Sequence, residues 1–280
     1  MTKLIPLIAA VFLALNVSAQ HTEKLRELYF QGNYEKVVNY LVDDELLGEE
    51  DYFIIANAFH KLEEFQTALY YYDLVRDAKH DLKDYYLNKA ICEISVGDVA
   101  SAERHLFIYE DQVGKHPMVY YYFGVIDYEM LEYKTAAVAL EEAVELDESY
   151  LEAWYLLGAV MLEQNKFSKA TEYFQKAHEL NPFHQPTRLY LAAAYMYDNQ
   201  YESCLEILEN ISLSSPELKA EAIYFQGECY FQMHLQDEAC EKWKEAADLG
   251  DEYAEKAYKS VCQKGKAERH KPKNLKKITL

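Results

Sequence analysis

Nine histidines, five cysteines and 48 carboxylate side chains could hold a metal or run acid–base chemistry, so their spacing is the first question. No His-Glu-x-x-His run occurs, and His178 and His184 fall at a helix end and in a turn instead of on one helical face. Cys92, Cys204, Cys229, Cys240 and Cys262 are odd in number and contain no Cys-x-x-Cys pair, which removes both a zinc site and a thioredoxin-type redox pair. They are expected mainly as buried small residues. One disulfide stays open, with Cys229 as its first candidate member. The phosphate-cradling glycine motifs and the Gly-x-Ser-x-Gly turn are missing, and acidic neighbours such as Asp43-Asp44 and Glu141-Glu142 read as helix ends or solvated faces. A hydrolytic site would need Glu129 and Glu163 to converge in a closed pocket. The chain is therefore expected to be no enzyme and to carry neither metal nor cofactor. Tyrosine, by contrast, is abundant at 26 residues. Its rigid apolar ring and single hydroxyl suit recognition at low entropy cost.

The elements that must position these side chains are helices, because nine glycines and six prolines in 280 residues give too little punctuation for a sheet-rich fold. Residues 1–19 have the form of a secretory signal peptide: Lys3, an apolar run from Leu4 to Leu15, and the small-residue cleavage site Val17-Ser18-Ala19. The run stops at Asn16, short of the about 20 residues that a span requires. A lipoprotein would carry cysteine where Gln20 stands. An exported chain, periplasmic or extracellular, soluble and without a transmembrane anchor, is expected. Formal net charge is −20, yet from Lys264 to Leu280 seven cations face Glu268 alone, so the body is more acidic than the whole. Such a body repels phosphate backbones, and nucleic acid is not an expected partner.

The helical pattern recurs with a period of 34. Trp154, Leu157, Gly158, Phe167, Ala170, Phe174, Ala177 and Pro182 stand at positions 4, 7, 8, 17, 20, 24, 27 and 32 of the unit Leu151 to His184. In the same register position 8 is Ala56, Ala90, Gly124, Gly158, Ala192 and Gly227, and position 20 is Ala68, Ala102, Ala136, Ala170, Cys204 and Ala239. Position 24 is Tyr72, Leu106, Leu140, Phe174, Leu208 and Trp243. Small residues mark the place where two helices of one hairpin cross closely; a bulky side chain there would overpack by roughly 1–3 kcal/mol. Each hairpin needs its neighbour to bury the large residues.

This set resembles the tetratricopeptide repeat. The resemblance implies an all-α fold, a right-handed α-solenoid of about seven antiparallel hairpins at 21–48, 49–82, 83–116, 117–150, 151–184, 185–219 and 220–251. A capping helix at 252–264 and a basic, disordered tail at 265–280 complete the expected layout. In the first, shorter hairpin Gly32-Asn33-Tyr34 marks the same turn as Gly97-Asp98-Val99. Departures are Lys89 and Gln226 at position 7, and Glu93 and Asp127 at position 11, which is usually large or aromatic. Either the hairpin 83–116 is loosened or bends the stack, or the two carboxylates turn to solvent; the second is favoured.

In this family the first helices of successive hairpins line a concave groove. The resemblance directs Tyr121, Tyr122, Tyr128 and Glu129 toward a ligand, with Tyr155, Leu162 and Glu163, then Leu189, Tyr190, Met196 and Tyr197, then Tyr224, Glu228 and Phe231. The implied wall is rich in tyrosine with an acidic edge, suited to an apolar segment carrying Lys or Arg. Asn57 and Asn88 match the amides of the family's carboxylate clamp, but Phe53, Met118 and Tyr122 stand where its three cations belong. Clamping of a C-terminal carboxylate at those positions is not expected; the two amides are expected to bond a ligand backbone. The function implied is a non-enzymatic adaptor or scaffold of the cell envelope that holds a protein or peptide. The alternative is a self-associating envelope component whose basic tail contacts anionic polymers or lipid.

Overall fold

The computed structural model describes residues 19–40, 47–76, 84–209 and 215–263. The signal segment up to residue 18, Asp43-Asp44 and the basic tail lie outside them. Among the described residues every regular element is a helix. They are α1 at residues 19–30, α2 Tyr34–Val38, α3 Glu49–Lys61, α4 Phe65–Leu74, α5 Tyr85–Ser95, α6 Val99–Val113, α7 Pro117–Glu129 and α8 Tyr133–Leu146. There follow α9 Leu151–Glu163, α10 Phe167–Leu180, α11 Gln185–Tyr197, α12 Tyr201–Glu209, α13 Pro216–Gln232, α14 Gln236–Asp248 and α15 Glu252–Ala257, which runs into a π-helical turn, Tyr258–Gln263.

The backbone itself carries the repeat. Gly32, Glu63, Gly97, Leu131, Asn165, Asn199 and His234 all have positive φ, between 55° and 83°. Each ends the first helix of a hairpin, and the next residue's N–H reaches back to a carbonyl five residues earlier, as in Asp98 to Glu93, Lys166 to Met161 and Leu235 to Tyr230. That is the hydrogen bonding of a Schellman-type stop, which needs one left-handed residue. Gly32 and Gly97 take it without strain; Leu131 and His234 do so at a cost of about 1 kcal/mol each.

The chain divides into two compact units, Met1–Tyr122 and Phe123–Leu280. In the first, α3 packs on α4 and α5 on α6, and α4 also touches α5. Leu25, Leu28, Val37, Ile54, Ile55 and Ala58 form one core cluster; Ala56, Ala68, Tyr72, Val75, Tyr85 and Cys92 form the next. Glu93 does not turn to solvent as expected. It is buried at 4% exposure, and its carboxylate meets His105 Nδ1 at 2.7 Å. The His105 ring in turn stacks on Tyr86. A carboxylate at this position is tolerated because a partner on α6 and an aromatic lid replace water. Asp127 is half-buried, and burial pushes its carboxyl above the usual range, with nearby Thr135 opposing the shift and Glu132 adding to it.

In the second unit the same crossing is tighter. A Cβ placed on Gly124 would lie 2.5 Å from Leu140 Cγ, one on Gly158 2.7 Å from the Phe174 ring, and one on Gly227 2.5 Å from Trp243 Cδ1. These are the pairings of positions 8 and 24, and the facing side chains are fully buried. The seventh pair begins at Pro216 and not at Ala220: Ser215 caps α13 through the Leu218 N–H, and Pro216 fits the first helical turn.

Cysteine pairing differs from the expectation. The disulfide joins Cys240 to Cys262, not Cys229, with Cα atoms 5.9 Å apart. The π-helical turn brings Cys262 back onto α14, within the range a disulfide can bridge. Cys229 is a buried free thiol beside Cys204; that neighbour and burial both hold its pKa above the ordinary thiol value. Cys92 and Cys204 are likewise buried and reduced.

Candidate functional site

The first helices α9, α11 and α13 of the second unit lie side by side, α9 touching α11 and α11 touching α13. Tyr155 and Tyr190, one on each of two neighbouring helices, meet edge to face at 5.8 Å. Behind them Phe174 packs against both rings, and His184 closes on Tyr155. Tyr197 stacks on Phe167 at 5.2 Å, and Phe231 lies 5.3 Å from Trp243. All four of Tyr155, Tyr190, Tyr197 and Phe231 keep part of their surface exposed. Each of the four is held by a second ring, and these partly exposed aromatics on α9, α11 and α13 are together called the aromatic strip.

The strip is bordered by carboxylates. The hydroxyl pKa values of Tyr190 and Tyr197 are pushed up to about 12, first by burial and then by Glu221 and Glu163 for Tyr190 and by Glu228 and Glu221 for Tyr197. The phenols therefore remain neutral donors, and the field around them is negative. Glu163 and Glu221 are partly exposed, whereas Glu228 is fully buried. Glu221 was not singled out from the repeat positions; its signal is only that it lies one turn from Tyr224 on α13.

Other expected groove residues face inward. Tyr128 and Tyr224 are fully buried, and Leu162, Leu189 and Met196 are nearly so. Tyr128 lies against Tyr133, and Tyr224 against Phe225 and Tyr253, so these rings fill the gaps between helices. Glu129 is exposed and Glu163 partly exposed, both near Tyr133. In the first unit Tyr121 and Tyr122 are half-buried and meet at 5.1 Å. Asn57 is only 8% exposed. Its side-chain oxygen accepts from Tyr72 Oη at 2.6 Å and from Asn88 Nδ2 at 2.9 Å. The Asn57 oxygen thus ties α3 to α4 and α5, while Asn88 keeps part of its surface exposed.

Among the described residues no group of three or more His, Cys, Asp or Glu side chains is placed to hold a metal ion, and no helix is long and apolar enough to cross a membrane.

Residues 151–184 match the family model of the tetratricopeptide repeat. No curated protein matches the sequence. Among solved structures, the C-terminal part of a TPR repeat-containing protein from Cytophaga hutchinsonii superposes with a TM-score of 0.65 at 17% identity, covering 84% of this chain and 98% of that one. A MamA structure from MSR-1 gives 0.52 at 19% identity over 59% of this chain and 94% of that chain, and a MamA double mutant from RS-1 gives 0.51 at 20% over 60% and 93%. The matched repeat, the recurrence of left-handed turns along the chain and the pairwise packing of its helices give this protein the fold of a tetratricopeptide-repeat solenoid.

Proposed function

We propose that this protein is a non-enzymatic interaction module whose second unit holds a segment of a partner protein against Tyr155, Tyr190, Tyr197 and Phe231. The observation that carries the reading is the aromatic strip itself: rings locked by Phe167, Phe174 and Trp243, partly open on one side and edged by Glu163 and Glu221. Rigid rings lose little entropy on binding, and the acidic border favours Lys or Arg beside an apolar anchor. Asn57, Asn88, Tyr128 and Tyr224 act in this reading as supports. The place of action is the cell envelope; the signal-like residues 1–19 and the disulfide Cys240–Cys262 both suit export to an oxidising compartment.

The test uses fluorescently labelled peptides in which aromatic or leucine residues alternate with Lys, against the same peptides with Glu. The basic set is expected to bind at least tenfold more tightly, and Tyr155→Ala with Tyr190→Ala to weaken binding at least tenfold, which is about 1.4 kcal/mol. Equal binding of both sets, or indifference to the double substitution, overturns the reading.

A further inference from the structure

Position 4 of the repeat is Tyr52, Tyr86, Tyr120 and Trp154 in four successive hairpins, then Arg188 in the sixth. In the fifth hairpin Trp154 covers Tyr173 at 5.8 Å and donates its indole N–H to the Glu148 carbonyl. Where the sixth hairpin has Arg188 in place of such a ring, the surface opens into a cleft of about 530 Å³. Its lining includes His178, Phe183, Arg188, Tyr195, Glu206 and Ile207, from α10, α11, α12 and the α10–α11 turn. None of Tyr155, Tyr190 and Tyr197 belongs to it, so it is separate from the aromatic strip.

The cleft is chemically incomplete. Arg188 donates one N–H to the Ile207 carbonyl at 3.0 Å, but its Nε is buried and finds no acceptor. His178 Nδ1 is buried without a partner as well. Among the described residues no ion pair to Arg188 is found, Glu206 on the same lining included. Burial depresses the Arg188 pKa, and burial followed by the nearby Arg188 charge depresses that of His178, with Glu179 opposing the latter shift. Arg188 is only partly buried, but an Nε–H shut off from water without an acceptor is a costly unmet donor. Beside it Phe183 is 86% exposed, an apolar ring on the lining of the cleft.

We propose that this cleft is a binding site for a carboxylate borne on an apolar or aromatic group, the guanidinium of Arg188 taking the carboxylate and Phe183 with Tyr195 taking the ring or aliphatic body. The volume falls within the roughly 300–1,000 Å³ usual for small-ligand pockets, and Arg is the side chain best shaped to meet a carboxylate. Two sources offer that chemistry, a free small acid and the last residue of a peptide chain.

The experiment titrates the full chain with N-acetylphenylalanine, its amide, and a tripeptide ending in phenylalanine as free acid and as amide, followed by calorimetry and by the NMR resonances of His178. Both acids are expected to saturate the site and to move the titration of His178 to higher pH, because an anion then faces it; the amides bind at least tenfold more weakly. Tighter binding of the tripeptide acid assigns the site to chain ends, and equal binding of the two acids assigns it to small acids. Arg188→Gln is expected to weaken acid binding at least tenfold. Arg188→Trp, which restores the ring found in the fifth hairpin, is expected to abolish binding while the helical content and melting temperature are kept. Glu206→Gln removes a like charge from the lining and tightens binding a few-fold. No saturation by either acid up to about 10 mM, near the weak limit of specific binding, overturns the proposal. Equal affinity for acid and amide, or full binding by Arg188→Trp, overturns it too.

Discussion

In three of the four hairpins of the second unit Gly124, Gly158 and Gly227 let Leu140, Phe174 and Trp243 lie against helix backbone, Ala192 standing opposite Leu208 in the other, whereas in the first unit Ala56 and Ala90 stand at that position opposite Tyr72 and Leu106. The first unit makes up the difference with polar ties. Tyr72 Oη and Asn88 Nδ2 share the Asn57 oxygen, Tyr85 Oη donates to the Tyr72 carbonyl at 2.9 Å, Tyr109 Oη to Asp84 at 2.7 Å, and Glu93 meets His105. One repeat geometry is thus held by shape in one region and by satisfied buried polar groups in the other. Shape is intolerant of added volume, while a polar network is intolerant of a missing member.

The largest effect should come from adding volume to the second unit. Gly158→Val would drive a β-branched side chain into the Phe174 ring, and unfolding free energy is expected to fall by about 3 kcal/mol or more. The reverse change in the first unit, Ala56→Gly, should cost only about 1 kcal/mol, through helix propensity and a lost methyl. Chemical denaturation of both variants, with hydrogen exchange to locate the loss, tests the contrast; similar losses would show that the glycines are not what sets the second unit apart. The second unit also carries the staple between α14 and the π-helical turn. Cys240→Ser with Cys262→Ser should remove up to about 3 kcal/mol by the loop-closure estimate, with faster exchange confined to α14 and α15.

A missing member in the first unit comes next. Asn57→Ala leaves the Tyr72 hydroxyl buried without its acceptor and should cost about 2 kcal/mol. Tyr72→Phe in the same chain should return part of that loss, because the orphaned hydroxyl goes with it. Thermal melts of the two single variants and the double variant decide it: strictly additive losses would mean that the tie between α3 and α4 is not a coupled network.

How much of this was legible beforehand follows from what period and residue size can encode. The pairing of positions 8 and 24, from Gly158 and Phe174 outward, reports a crossing distance, and the crossing is where the structure has it. Tyr128 and Tyr224 show the limit: their repeat positions were assigned to the groove, yet both rings fill space between helices. A tyrosine's sequence position fixes its helix face, but which side of its neighbour the ring takes depends on packing from other helices. Glu93 was expected in water because a carboxylate is costly to bury; His105, on the other helix of its hairpin, offsets that cost, and the repeat template has no place for such a pair. Arg188 was readable as an absent aromatic at position 4, although the cleft that follows depends on Ile207 and Phe183 as well. The partner of Cys262 depended on a π-helical turn that no local signal announces.

The smallest expected effect concerns acid. His60, in the last turn of α3 beside Phe65, has its pKa lowered to about 4, chiefly because burial disfavours the imidazolium and secondarily because Lys61 is near. In the unfolded chain an imidazole titrates near 6.5, so between about pH 6.5 and 4 the unfolded state binds more protons than the folded one. Stability from this group is therefore complete above about pH 6.5 and declines as pH falls toward 4. The ring is only half-buried, which reduces the ideal slope of about 1.4 kcal/mol per pH unit to a total near 1 kcal/mol. His60→Gln should flatten the pH dependence of hydrogen exchange in α3 and α4 over that window while leaving α9 to α14 unchanged, where His178 and His184 are depressed in the same direction. An unaltered profile in α3 would mean that the first unit, despite its polar ties, does not hold this imidazole away from water.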